Sequence, residues 1–462
     1  METTHPTPED LEQFIRGSLD DKAAAPIERH LEKDLCSRCL FATRKLMAEA
    51  EPDLRDNIRR FTRWDELPET ERRDGLGAAM RQAMRRGVVI RAERALGPEL
   101  LSELERRSPT ARRAVIRTAQ RYQLFGFVEA LCHASREAVF RDVARALELA
   151  GLAVEVADSL DPRIYVAKFT TDMQALAHAY LGNARRVASD LFGAESVFQQ
   201  ALLLREQGSQ GSPVYAEIGS LLGSLRIDQG RYLEARNILQ EALALYRSFG
   251  FEREHGRILV KLANLEGYAG NSEQAVKILE EAVEFIGESG DAHLRAQAHS
   301  NLLYWMVDAD QALEALARYR KARELYDEHF QEPALGMRRR WLEGRIYAAL
   351  GDLDLAVGAF EEVRGAAAER ELSYEAAMVS LELAIVHLDR GEVAQVQDLV
   401  EEMTPIFRSH ELHRHALAAV YLFRHAARAQ TLTTGFAREI LRYLRRARNN
   451  PYLRFEPSAR WS

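Results

Sequence analysis

The sequence predicts an all-α protein: a right-handed superhelical solenoid of stacked helical hairpins, preceded by a small helical module with a metal-ligand pattern and a helical connecting region. Three observations carry this. The 462 residues are rich in Ala, Leu, Glu and Arg, with only 13 prolines and 27 glycines, a mixture that favours helix over strand. Small residues recur at a nearly constant interval through about 60% of the chain, as stacked supersecondary units require. Two histidines and a Cys-x-x-Cys pair fall within the first 40 residues. The expected segments are 1–50 (module), 51–165 (arginine-rich helical connection), 166–448 (about seven helical hairpins) and 449–462 (C-terminal tail).

In the first segment, Leu11, Phe14, Ile15 and Leu19 share one helical face and Ile27 and Leu31 another, at the spacing of amphipathic helices. The chain's three cysteines cannot build a disulfide framework, and Cys36 and Cys39 are too close for an ordinary bridge. In a reducing compartment such a pair reads as metal or redox chemistry. The run His5, His30, Cys36-Ser37-Arg38-Cys39 resembles the zinc-binding anti-sigma-factor domain, where an early Cys or His is followed by a His and a Cys-x-x-Cys knuckle. That resemblance implies the ligand set His5, His30, Cys36 and Cys39, two imidazoles and two thiolates suited to tetrahedral, structural Zn2+. The family usually leaves three residues between the His and the first Cys, whereas Leu31 to Leu35 make five here. The longer spacer can unwind past the helix end and still deliver both ligands, or mark a site that has lost its metal and keeps only its packing. Two incidental cysteines in a small helical domain are the plainer alternative.

From Glu51 to about Leu160 the pattern is helical without a clear repeat, although Leu147 to Ser159 fits a degenerate half-repeat. Ser108-Pro109 reads as an N-cap with proline at the first helical position, opening a helix through Tyr122. Between Arg85 and Arg121 stand ten arginines and four glutamates. Arg113, Arg117 and Arg121, at four-residue spacing, would line one side of that helix as a candidate surface for an anionic partner; a solvated face explains them equally simply. A second basic stretch, Arg438 to Arg448, suits the C-terminal end of a helix dipole.

The repeat is marked by the small residue that opens each second helix: Ala194, Ala235, Ala275, Ala315, Ala356 and Val396, with a seventh expected near Ala437. The intervals are 41, 40, 40, 41 and 40 residues. Gly182, Gly223 and Gly344 in the first helices, and Ala194, Ala235, Ala275 and Ala356 in the second, allow close approach of the pair. Gly230, Gly270, Gly351 and Gly391 supply the left-handed residue that ends each first helix. A Leu-Gly or Leu-Ala pair, a Gly-Asp or Gly-Arg turn, a small residue and then an aromatic or Leu resembles tetratricopeptide repeats. The period exceeds that family's common 34 residues, implying helices longer by about a turn. Long-helix arrays of this kind resemble those of bacterial peptide-sensing and signal-transduction regulators.

The resemblance implies a concave face for a protein or peptide partner. Arg185, Arg226, Asn264, Asn301, Tyr304 and Arg345 are its candidate lining residues by spacing, with solvated surface as the alternative for each. Other motifs lead away from catalysis. His410-Glu411-Leu412-His413-Arg414-His415 misplaces the second histidine of the helical zinc-protease motif. Cys132-His133 lies in an apolar helix, as core filling does. No phosphate loop, nucleophile elbow or dinucleotide fingerprint occurs. The formal charge of −7 gives no global reason to expect nucleic acid. With no signal-like start and no long apolar run, the expectation is a cytoplasmic bacterial regulator without enzyme activity. Its array would hold a protein or peptide, and its zinc module a sigma factor or related transcription component. The alternatives are a general assembly scaffold whose N-terminal segment is only a structural cap, and nucleic-acid binding through the arginine-rich segment.

Overall fold

The protein is described by a computed structural model covering residues 5–49, 69–139, 142–287, 292–323, 333–370, 372–409, 414–447 and 453–455. Among the described residues all regular structure is helical: twenty-one α-helices and one three-residue 3-10 turn, with no strand. The chain falls into two compact units, Met1–Leu221 and Leu222–Ser462. No described helix is long and apolar enough to cross a membrane.

In the first unit, α1 (Pro8–Arg16), α2 (Asp21–Glu32) and α3 (Ser37–Glu49) pack against the long α4 (Glu69–Glu105). A reciprocal cap starts α1: Asp10 N donates to Thr7 Oγ1 at 3.2 Å, and Thr7 N donates to Asp10 Oδ2 at 2.9 Å, satisfying two otherwise orphaned amides. Leu11, Phe14, Ile15, Ile27 and Leu31 are buried, as the spacing indicates, whereas Leu19 lies past the left-handed Gly17 that ends α1 and is only half-buried. α5 (Pro109–Thr118) opens as expected, with Ser108 Oγ accepting from Ala111 N. It ends sooner than the sequence suggests. Ala119 is extended, and a 3-10 turn (Gln120–Tyr122) carries Tyr122 into the core, where its hydroxyl donates to Glu103 at 3.1 Å. Burying that ring outweighs four more residues of helix, so Arg121 does not share a helix with Arg113 and Arg117. α6 (Phe125–Ala138) and α7 (Val143–Asp158) form the next hairpin.

The hairpins then repeat: α8 (Ala167–Val187) with α9 (Leu191–Gln207), α10 (Pro213–Asp228) with α11 (Tyr232–Phe249), and α12 (Glu252–Tyr268) with α13 (Ser272–Ile286). They continue as α14 (Ala292–Asp308) with α15 (Ala312–Lys321), α16 (Pro333–Leu350) with α17 (Leu353–Glu369), α18 (Ser373–Asp389) with α19 (Val393–Ser409), and α20 (Arg414–Arg428) with α21 (Thr434–Ala447). All seven marks, Ala194 through Ala437, are buried at 0–1% exposure. The need for small residues opposite them is direct: a Cβ on Gly344 would stand 2.6 Å from the Phe360 ring, inside contact distance.

Five residues before the first six marks, the chain turns through left-handed φ. Glycine holds that position at Gly230, Gly270, Gly351 and Gly391, while Ser189 and Asp310 hold it at φ 64° and 57°. In the last hairpin the left-handed residue is Gln430, seven residues before Ala437. The extra two residues accompany a different packing: α21 lies against α18, a first helix of the preceding hairpin, as well as against α20.

Candidate metal centre and partner-binding cavity

α2 ends one turn short of the cysteines. Leu35 adopts a left-handed φ of 46° and redirects the chain, so that Cys36 N approaches His30 O at 3.5 Å. Cys36 O accepts the first helical bond of α3 from Leu40 N at 2.9 Å, which puts Cys36 and Cys39 at the positive end of that helix, where thiolates are favoured. The five-residue spacer therefore delivers both cysteines to His30. The ligand atoms of His5, His30, Cys36 and Cys39 all lie within 4.8 Å of one another.

The separations measured from His5 can be compared with the edges of a tetrahedral site. Bond lengths of ~2.0–2.1 Å to nitrogen and ~2.3 Å to sulfur give tetrahedral edges of about 3.3 Å between nitrogens and about 3.6 Å between nitrogen and sulfur. Here His5 Nδ1 is 3.3 Å from His30 Nε2 and 3.5 Å from each of Cys36 Sγ and Cys39 Sγ. His30 Nδ1, on the far side of the ring, faces Asp34 Oδ2 at 3.3 Å, the carboxylate–imidazole arrangement that orients a ligating histidine. Burial, then the neighbouring Cys36 thiol, push Cys39 up to about 11; a divalent cation at the centre of the cluster reverses that preference. The four residues can hold a metal ion.

In the second unit, Asn264, Asn301, Tyr304 and Arg345 converge on one cavity of about 420 Å³ with Trp305, Trp341 and Arg338, closed on one side by Arg445 and Arg446 of α21. A second cavity, of about 590 Å³, shares Tyr304, Trp305 and Arg345. Successive first helices meet there at repeat spacing. Trp305 Nε1 donates to Asn264 Oδ1 at 2.9 Å, and Trp341 Nε1 to Glu382 Oε1 at 3.3 Å. The Arg345 guanidinium lies 4.0 Å from the Tyr304 ring centroid, and its Nη2 donates to Asp308 Oδ1 at 2.6 Å.

The other two residues named from spacing do not line this cavity. Arg185, in the first unit, stays with its own turn, 3.9 Å from Asp190. Arg226 is buried and paired with Glu234 at 2.7 Å. Both stand nine residues before their mark, whereas Asn264, Tyr304 and Arg345 stand eleven before theirs. Two residues turn a helix by about 200°, so the two registers face opposite ways. Spacing missed Trp305 and Trp341; the 41-residue interval from Asn264 to Trp305 was the available signal.

The arginines of the connecting region meet carboxylates from other helices. Arg85 pairs with Glu28, and Arg91 with Glu32. Arg94 pairs with Glu129, and Arg112 with Glu148. Arg113 and Arg117 both face Glu155, and Arg121 faces Glu103 at 2.5 Å. A charge count along the sequence omits these partners. Cys132 is fully buried, and burial pushes its thiol well above the usual range; it fills core. His410 to His413 lie outside the described residues.

No protein-family model and no curated protein matches the chain. Solved structures of similar helical fold include aspartyl phosphate phosphatase F from Bacillus subtilis, 11% identical over 88% of this chain and 96% of that one, with a TM-score of 0.47. Another is the signal transduction ATPase with a tetratricopeptide repeat sensor from Pyrococcus horikoshii, 13% identical over 96% and 72%, with a TM-score of 0.48. A third is a Rap protein complexed with Competence and Sporulation Factor, 16% identical over 66% and 98%, with a TM-score of 0.41. The likeness is one of all-helical repeat fold.

Proposed function

We propose that this chain is a cytoplasmic interaction scaffold rather than an enzyme, holding a protein or peptide partner in the aromatic and amide-lined cavity of its second unit. One observation carries the reading: Asn264, Asn301, Tyr304 and Arg345, from three successive hairpins, line a single cavity, as a repeat array that reads an extended or helical ligand requires. The experiment is affinity purification of the full chain and of an Asn301→Ala/Tyr304→Ala variant, with the bound proteins identified. Loss of a specific partner from the variant is the expected result; identical partners for both forms would overturn the reading.

The N-terminal module, on the same proposal, binds Zn2+ through His5, His30, Cys36 and Cys39 and presents a surface for a sigma factor or related transcription component. The separations of His5 Nδ1 from the other three ligand atoms support the metal, and the ligand order supports the anti-sigma-like partner. Stoichiometric zinc in the purified chain, lost in Cys36→Ser, together with recovery of a sigma factor, is expected. A zinc-bound chain that recovers no transcription protein would leave the second reading, a structural cap. A specific observation favours that one: α4 occupies much of the module, with Arg85 stacked 5.0 Å from the Phe14 ring centroid and paired with Glu28, and Arg91 paired with Glu32.

A further inference from the structure

The basic stretch of the last helix does more than favour a helix terminus. Along α21 the arginines step across the inner faces of earlier helices in the second unit. Arg438 pairs with Asp389 at 3.1 Å, Arg445 pairs with Glu382 and lies 5.6 Å from the Tyr304 ring centroid, and Arg446 lies 5.9 Å from the Tyr232 ring centroid. Ala437, Ile440, Leu441, Leu444 and Ala447 are buried beneath it. A short C-terminal strap, Leu453–Phe455, covers its other side: Tyr443 Oη donates to Leu453 O at 3.0 Å, and the Phe455 ring packs on Tyr443 and Phe436.

The charges of the two sides are complementary. Without α21, the linings of the two cavities contain six carboxylates (Asp228, Asp308, Asp310, Glu375, Glu382 and Asp389) against two arginines, Arg338 and Arg345, an excess of four negative charges. α21 lines the same cavities with four arginines, Arg438, Arg442, Arg445 and Arg446, and carries one glutamate, Glu439. The trough is acidic and aromatic, and the helix seated on it is basic and amphipathic. Arginine over tyrosine and arginine against a half-buried carboxylate are contacts that a helix-in-groove complex uses.

We propose that α21 is a tethered occupant of this trough, and that the partner held there presents an arginine-bearing amphipathic helix that displaces it. The proposal rests on the reading that this face holds a protein or peptide. Tethering gives α21 a high effective concentration, so a partner must outbind it by differential affinity, and weakening α21 opens the site.

The test uses the full chain and, as probe, a fluorescein-labelled peptide of sequence 434–447. In one variant Arg438, Arg445 and Arg446 are replaced by Ala; in a second, Glu382→Gln/Asp389→Asn weakens the trough instead. Amide exchange follows α21, with α12 to α18 as the folding control. The arginine variant should show faster exchange in α21 and bind the peptide at least tenfold more tightly than the wild type, with affinity falling as salt rises. The trough variant should also release α21 yet bind the peptide poorly. A peptide carrying Arg438→Glu, Arg445→Glu and Arg446→Glu should not bind. Unchanged α21 exchange in both variants, equal peptide affinity for wild type and arginine variant, or no binding to the arginine variant once its α21 is released would each overturn the proposal. The broader reading is scored separately, by whether Asn301→Ala/Tyr304→Ala loses its partner.

Discussion

Trp305 Nε1 donates to Asn264 Oδ1 at 2.9 Å across one repeat, and the Trp305 ring fills the space that the missing Cβ of Gly267 leaves. A 41-residue sequence interval is thus a side-chain contact between neighbouring first helices. Because Trp305 is 4% exposed, Asn264→Leu strands a buried N–H, and we expect a loss of ~1–3 kcal/mol, read as a lower urea midpoint. Adding Trp305→Phe removes the stranded donor, so the double variant should be less destabilised than the two single effects combined. Simple additivity would show that the hydrogen bond contributes no coupling.

The same contact shows what was legible in advance. The hairpins were readable because stacking needs a small residue at one place per unit, and Ala194 to Ala437 occupy it. The cluster of His5, His30, Cys36 and Cys39 was readable because few residue types can hold a metal ion. The cavity-lining residues were only partly readable: Arg185 and Arg226 stand nine residues before their marks and Asn264, Tyr304 and Arg345 eleven, and polarity alone does not say which of the two registers faces the cavity. The placement of α21 was not legible, since its mark at Ala437 keeps the period while the preceding turn gains two residues at Gln430.

Ser189 takes the left-handed turn with φ 64°, where Gly230, Gly270, Gly351 and Gly391 serve in four other hairpins. A Cβ in that conformation costs ~1–2 kcal/mol, and the greater entropy of glycine in the unfolded chain offsets part of any relief. Ser189→Gly should therefore stabilise the first unit by about 0.5 kcal/mol, measured by denaturant unfolding. Destabilisation would mean that the serine side chain contributes more than its backbone costs.

Zinc binding at the cluster should depend on Asp34 as well as on the four candidate ligands. With Asp34 3.3 Å from His30 Nδ1, Asp34→Asn should weaken zinc binding by about 10–100-fold in a chelator competition without abolishing it. Cys36→Ser should abolish stoichiometric binding. Zinc removal should lower the melting temperature, because a structural ion contributes its binding energy to the fold. If Asp34→Asn binds zinc as tightly as the wild type, His30 ligates without that support or does not ligate.

The module is joined to α4 by a buried charge pair whose pH dependence can be worked out. Glu93 is fully buried, and Arg44 Nε lies 3.0 Å from its Oε1, close enough for an ion pair although not aligned as a hydrogen bond. Tyr165 Oη donates to Glu93 Oε1 at 2.7 Å, and Arg44 Nη2 donates to Gln123 O at 2.7 Å. Burial holds the Glu93 carboxyl above the usual range, while Arg44, Tyr165 and the amides of Gly126 and Phe125 oppose that shift. An acid with a raised folded pKa binds its proton more readily in the fold than in the unfolded chain, where it titrates near ~4.3. Its contribution is therefore fully favourable below that pH and declines as pH rises towards the folded value. Arg44→Met removes the largest opposing interaction and raises the folded pKa further. The variant should be close to wild type at pH 4 and fall behind as pH rises, by ~3–5 kcal/mol near pH 8, the usual cost of stranding a buried charge. Urea midpoints at several pH values measure the gap, and Glu93→Gln in the Arg44→Met background should flatten it. A gap that does not change with pH would place the loss in the packing of the Arg44 side chain rather than in the charge of Glu93.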